Sequence, residues 1–243
     1  MDFLQLLLLQ FIAHILTDYT FQTDEKAKNK NELGFKSPFL KWHILVAFIT
    51  SCVLSFQVNF IPYAVVIAIT HWLIDGFKPV FSRNKYFAKY GFFIDQFLHL
   101  LMIVLVTCFF VFENKIIIND LGFQLNTQYL AIILAYLICV KPTNIIIKEV
   151  FHVFDITFKQ NGDELVNAGK LIGLIERWLV LTFVLVDHLD AVGFLLAAKS
   201  ILRYKDDNTL KTEYVLIGTM LSFGIALFLG IVINMFFINI NNV

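Results

Sequence analysis

Histidine and aspartate recur four residues apart three times in the first half of this chain. The pairs are His14/Asp18, His71/Asp75 and, in reverse order, Asp95/His99, with His43 as a further histidine. Residues four apart share one face of a helix. All seven fall inside stretches apolar enough to be membrane helices, where an ionisable side chain is expensive and marks a functional site by default. Imidazole with carboxylate is a ligand set for zinc, manganese, iron or nickel, as one ion or as a pair. Two-metal sites of this kind activate water against phosphate esters. Gln22, one further turn beyond Asp18, is placed to bond a substrate or to orient a ligand from behind. The same groups could instead relay protons or pass a cation.

A second set of polar residues lies in the other half. Glu176-Arg177 follows Gly169-Lys-Leu-Ile-Gly173, then come Lys199 and Arg203, and later Glu213-Tyr214. Lys199 and Arg203 share a helix face, and Glu176 at membrane depth needs a cation, which either could supply. As a functional group these residues form an anion pocket, because arginine grips phosphate with two N–H groups and lysine acts as a point charge. As ordinary membrane residues, Lys199 and Arg203 snorkel to headgroups, and Glu176/Arg177 form a structural ion pair. Gly169/Gly173 and Gly218/Ser222 read as small faces for close helix approach.

The elements that must position these residues are membrane spans. The chain has 243 residues, is 58% hydrophobic with 27 Phe, and has a mean hydropathy of +0.75. Charged residues make up 16%, well below the ~25% of soluble domains. A span needs ~20 mainly apolar residues. Eight stretches qualify: about 3–20, 39–57, 60–79, 90–112, 128–148, 170–187, 189–204 and 213–238. Pro38, Pro62 and Pro142 fall near expected helix ends, where proline is tolerated. Of the 19 lysines and arginines, only Lys115 falls in a loop on one side and Arg177 within a span; the rest alternate to the other side. The positive-inside rule then puts both termini outside and the basic loops in the cytoplasm. With that topology, the seven His and Asp residues come to one depth on four helices, near the cytoplasmic boundary, as bundle metal sites are built.

Several classes are disfavoured. The formal net charge is zero, so bulk charge points to no nucleic-acid partner. Cys52, Cys108 and Cys139 lie in apolar stretches without a CxxC or zinc-finger spacing, so neither thiolate ligation nor a disulfide framework is expected. The apolar run beginning near Met1 reads as a retained helix rather than a cleaved signal. The polar connections 22–37 and 155–168 are too short to be domains. His152 with Asp155, and His188 between Asp187 and Asp190, read as exposed connections.

These motifs carry a resemblance. The segment Ala13-His14-Ile-Leu-Thr-Asp18-Tyr-Thr-Phe-Gln22, an HxxxDxxxQ pattern, is similar to the bacterial membrane-protein family known as domain of unknown function 3307. So are Gly169 to Arg177, Ala198-Lys199-Ser200-Ile201-Leu202-Arg203, and Glu213 through Gly218-Thr219 to Ser222. As one ordered set they cover nearly the whole chain. The resemblance implies a bacterial multi-pass protein of the inner (cytoplasmic) membrane and adds weight to the second polar set. The first four spans also resemble, at the level of fold, bacterial membrane-bound hydrolases regarded as metal-dependent.

The expectation is therefore an all-α polytopic bundle of about eight spans forming one membrane domain. Residues 1–112 would make a four-helix half with the His/Asp cluster, and 126–243 a half with the Glu/Arg/Lys cluster. The expected activity is metal-dependent hydrolysis of a phosphate ester or lipid-linked phosphate. One or two divalent ions (zinc, manganese or iron) would be held by His14, Asp18, His43, His71, Asp75, Asp95 and His99, with Asp75 and Asp95 catalytic. Gln22, Glu176, Arg177, Lys199, Arg203 and Glu213 would contact a lipid-linked or small phosphorylated substrate. The alternative is a divalent-cation or proton-coupled transporter. A third reading is a non-catalytic membrane partner or sensor, whose lysine-rich 26–41 segment docks a protein or anionic lipid.

Overall fold

The computed structural model describes residues 2–113, 126–156, 168–203 and 209–238, without the side chains of 85–87, 168, 202–203 and 209–211. The chain forms two compact units, one up to Leu130 and one from Ala131.

The first unit is built on four long helices: α1 (Phe3–Ile15), α3 (Pro38–Ser55), α4 (Ile61–Phe81) and α5 (Lys85–Glu113). Asp2 starts α1 with a capping box, accepting from the Gln5 amide at 2.7 Å while Gln5 accepts from the Asp2 amide at 2.9 Å. The last turn of α1 widens into a π-turn over Leu16–Thr20, a distortion that clusters at functional sites and here carries Asp18. Proline opens α3 and α4, where its missing N–H costs nothing.

The expected polar connection over 22–37 is mostly a helix. Thr23 caps α2 (Asp24–Leu33), which ends at Gly34 with φ of 52°. All of α2 is polar except Ala27 and Leu33, and it buries one side chain, Lys30. The chain then hooks onto α4. A Cβ at Gly34 would collide with the Gly76 carbonyl, and one at Gly76 with the Phe35 ring. Phe35 also packs edge-on against Trp72 and Phe77, at centroid distances of 4.8 and 5.0 Å.

At one end of this unit, Leu6, Phe60, Ala64, Ile67, Ile103, Val106 and Phe110 form an apolar core. Toward the other end the buried residues become polar: Gln10 and Ser51, then His14, Asp18, His43, His71, Asp75, Asp95 and His99. The outward faces carry exposed Val65, Ile69, Phe97, Leu101, Leu105 and Phe109, a surface suited to lipid.

The second unit contains most of α6 (Thr127–Val153), with α7 (Ala168–Leu185), α8 (Leu189–Arg203) and α9 (Thr209–Ile233). Helices α7 and α9 meet closely: a Cβ at Gly230 would lie 2.6 Å from Val184 Cγ1. Gly173 instead leaves room for Arg177 of its own helix, Gly169 faces open space, and Gly218 makes only ordinary contact with Phe151. Close helix approach therefore falls at Gly230 rather than at the expected small-residue faces.

Pro142 lies inside α6, not near its end. Proline leaves the carbonyl four residues earlier without its amide partner. The Thr143 hydroxyl takes that carbonyl, Ile138, at 2.7 Å, which lets the helix continue.

Among the described residues, six helical stretches are long and apolar enough to cross a membrane: Phe3–Thr20, Pro38–Ser55, Val58–Phe81, Ala88–Glu113, Thr127–Val153 and Thr212–Ile238. The protein is an all-α integral membrane protein. Helices α7 and α8, at 18 and 15 residues, fall on the expected sixth and seventh spans but are not among those six.

Candidate functional site

The seven sequence-derived residues converge in the first unit, and all are at least 93% buried. The π-turn brings Asp18 to the centre, with His14 one turn behind it at 3.9 Å. Near the start of α3, His43 points its Nε2 at the Nε2 of His71 from α4, 2.9 Å away. Asp18 Oδ1 and Asp75 Oδ2 each lie 3.3 Å from both nitrogens. Four ligands about one ion at metal–ligand distances of ~2.05 Å stand ~3.3 Å apart if tetrahedral and ~2.9 Å apart at an octahedral edge. The donor spacings match that range.

Residues the sequence reading missed complete the centre. Lys30 Nζ donates to Asp75 Oδ2 at 2.8 Å and to His43 Nε2 at 2.9 Å. The His43 lone pair is thus approached by two nitrogens at 2.9 Å, more than one acceptor site can serve. Lys78 pairs with Asp95 Oδ2 at 3.0 Å. Gln96 donates to the same Oδ2 at 3.1 Å, and its Oε1 accepts from the Tyr19 hydroxyl at 2.8 Å and lies 3.3 Å from His14 Nε2. Gln22 donates to the Asp18 backbone carbonyl, so it steadies the turn that holds Asp18. Two of these residues carried a signal: Lys78 is three residues after Asp75 on the same helical face, and Gln96 adjoins Asp95. Lys30 carried none, because nothing in the polar segment separates it from Lys26, Lys28 or Lys36.

His99 is the most telling residue. Its Nδ1 bonds the Asp95 backbone carbonyl at 2.8 Å, so Nδ1 carries the proton and Nε2 the lone pair. Among the described residues, that Nε2 is buried without a hydrogen-bond partner, as are Asp95 Oδ1 and Asp75 Oδ1, while Asp18 Oδ1 has only the 3.3 Å approaches of the two imidazoles. Buried polar atoms are almost always satisfied, so unpartnered acceptors gathered in one cluster make it a candidate metal site. Three groups of residues offer ligand atoms within 4.8 Å of one another: His14/Asp18/His71, His43/His71/Asp75 and Asp75/Asp95/His99. With the imidazoles neutral, as metal ligation requires, three carboxylates against two ammoniums leave the centre with one negative charge in excess, which is costly away from water.

Beneath the centre, Gln10 and Ser51 bond reciprocally: Gln10 Nε2 donates to the Ser51 carbonyl at 3.1 Å and the Ser51 hydroxyl donates to Gln10 Oε1 at 2.6 Å. These two, with His14, Thr17 and His71, line a small cavity.

The second polar set, on its own unit, looks different. Arg177 is 1% exposed, and its guanidinium is consumed by protein acceptors: the carbonyls of Cys139 at 2.7 Å and Val140 at 3.2 Å, Asn144 Oδ1 at 2.9 Å and Ser222 Oγ at 3.1 Å. It stitches α7 and α9 to the α6 backbone just before Pro142. Lys199 forms the ion pair with Glu176 that the sequence called for, with its ammonium 5.5 Å from the Phe223 ring. Glu213 is exposed, and the Arg203 side chain lies outside the described residues. His152 and His188 have side chains 63% and 68% exposed, as expected.

Fold and centre together define an integral membrane helical protein with a buried His/Asp/Lys cluster. Residues 6–121 match the family model "Protein of unknown function (DUF3307)". The match takes in the whole centre and stops short of the motifs at 169–177, 198–203 and 213–222. No curated protein and no solved structure matches the chain.

Proposed function

We propose that the first unit is a membrane-embedded metal centre that hydrolyses a phosphate ester, with a lipid-linked phosphate as the favoured substrate. The observation that carries this reading is His99, whose bare Nε2 sits among the bare oxygens of Asp75 and Asp95. Asp18, His43, His71 and Asp75, with His14 beside Asp18, supply one donor set, Asp75, Asp95 and His99 a second, and Asp75 joins them, which suits one or two ions of zinc, manganese or iron. A divalent cation held by these residues would lower the pKa of water and so supply the chemistry for hydrolysis near neutral pH. Asp75 and Asp95 orient and accept protons, while Gln96, Tyr19 and Gln22 hold ligands in place. Lys78 and Lys30 balance negative charge as a substrate phosphate arrives. Arg177 does not fit a substrate role, since its donors are used internally. We extend the topology to eight spans with both termini outside, in a bacterial inner membrane, because α7 and α8 fall on the sixth and seventh expected spans.

Elemental mass spectrometry on detergent-purified protein tests the reading, with His71→Ala and Asp95→Ala beside wild type. One or two equivalents in wild type, lost in both variants without loss of monodispersity, support the centre and justify a phosphate-ester screen with that metal. A wild type that stays metal-free after reconstitution with zinc, manganese and iron overturns it.

The polar trail below the centre favours a second reading, a cation or proton pathway. Gln10, Thr17, Ser51, Ser55 and Gln57 are all buried. Metal-dependent flux into liposomes without ester turnover supports transport; turnover without flux supports the enzyme.

A further inference from the structure

Two apolar grooves of similar size run along the outer junction of α4 and α5. One, of about 320 Å³, lies by Pro62, Val66, Leu105 and Phe109 and is lined by no charged residue. The other, of about 290 Å³, has Leu73, Ile74 and Leu98 at its inner end and Phe77, Phe81 and Gly91 toward the helix ends. Between these ends, Lys78 and Asp95 form part of its lining.

The second groove differs from the first in three ways. Its polar lining is the 3.0 Å Lys78–Asp95 pair, and Asp95 is also a member of the Asp75/Asp95/His99 donor set, so the groove reaches the centre from the side. Its polarity is graded. Lys78 and Ser82 lie at the C-terminal end of α4, and the wall from Ser82 back to Leu73 is apolar apart from Lys78, over roughly 13 Å at 1.5 Å per residue. That gradient matches a molecule with a charged head at the membrane boundary and a tail directed inward. Its charge also suits an anion. With neutral imidazoles, one divalent cation would take the centre from one negative charge to one positive, and Lys78 is the ammonium on the groove side. Gly91 keeps the outer end open, since a Cβ there would meet nothing within 4 Å.

Building on the phosphate-ester reading, we infer that this groove admits the hydrocarbon chain of an anionic amphiphile, a long-chain alkyl or acyl phosphate, sideways from the membrane. The groove sets the phosphate head beside the Lys78 ammonium. Substrate then reaches the centre without crossing water.

The uncharged groove is an internal control. The full chain in phosphatidylcholine nanodiscs would be labelled with a long-chain alkyl phosphate bearing a diazirine, and in parallel with the matching alcohol, and the labelled peptides mapped. The phosphate should favour 73–98 over the 62–66 and 105–109 groove by about tenfold, while the alcohol should show no such preference. Lys78→Met should remove the preference. Gly91→Phe, which fills the groove, should lower labelling there and leave the control groove unchanged. Inorganic phosphate should compete far more weakly than an unlabelled alkyl phosphate. Equal groove ratios for phosphate and alcohol, or a preference that survives Lys78→Met, overturn the inference. Selective labelling without turnover of the same phosphate sinks the hydrolase reading and leaves the groove standing. Turnover of a short, water-soluble phosphate ester with no groove preference does the reverse.

Discussion

Both units bury charged side chains, and they treat them in opposite ways. In the second unit Arg177 makes four hydrogen bonds, and Glu176 has Lys199. In the first, Asp75, Asp95 and His99 keep buried atoms without a hydrogen-bond partner among the described residues, despite two lysines and a tyrosine nearby. A buried charge whose donors are met by the protein braces the fold, whereas a cluster of unpartnered acceptors is a candidate ligand site. The difference separates a structural arginine from candidate ligands more sharply than residue type or depth.

Experiments can strain that contrast at both poles. The largest effect is expected from Asp75→Asn, because Asp75 serves both donor sets: bound metal should fall to background in elemental analysis while the protein stays monodisperse. Metal retained at wild-type stoichiometry would break the comparison on the functional side. Next is Arg177→Met, which strands acceptors around Pro142 and should cost on the order of 3 kcal/mol in detergent unfolding. Arg177→Lys should recover little, because one ammonium cannot span four acceptors. Metal content should be unchanged in both Arg177 variants, and loss of metal on this side would blur the distinction. A smaller effect is expected for Gln96→Leu, which removes the link between Tyr19, His14 and Asp95 and should weaken metal affinity by about 10- to 100-fold in competition with a chelator. The smallest is expected for Lys30→Met. Removing an ammonium that shares His43 and Asp75 with the ion should tighten metal binding by up to about tenfold, and weaker binding would mean that Lys30 supports the ion rather than competing with it.

Sequence alone exposed the His/Asp cluster because ionisable residues in apolar segments are rare and the four-residue spacing fixes a shared face. It exposed the helical membrane class for the same reason of composition. Lys30 stayed hidden because a topology rule counts lysines in polar segments as solvent-facing, and burial there depends on a tertiary hook at Gly34 and Gly76. Pro142 misled because proline usually marks a helix end, and the repair, a threonine hydroxyl, lies one residue away. Arg177 was visible as unusual, but whether its donors face substrate or backbone depends on where α6 and α9 pack. The family match over 6–121 coincides with the part whose chemistry was legible.

The hook at Gly34 and Gly76 also sets how this region tolerates change. On α2, Lys28 and Glu32 have side chains 77% and 63% exposed, so that helix can carry substitutions or a spectroscopic label on its outer face at little cost. At either glycine a single added methyl group meets backbone or ring and must shift α2 on α4, carrying the Lys30 ammonium with it. Mutational tolerance here runs opposite to residue size: the charged helix is permissive, and the two residues without side chains are not.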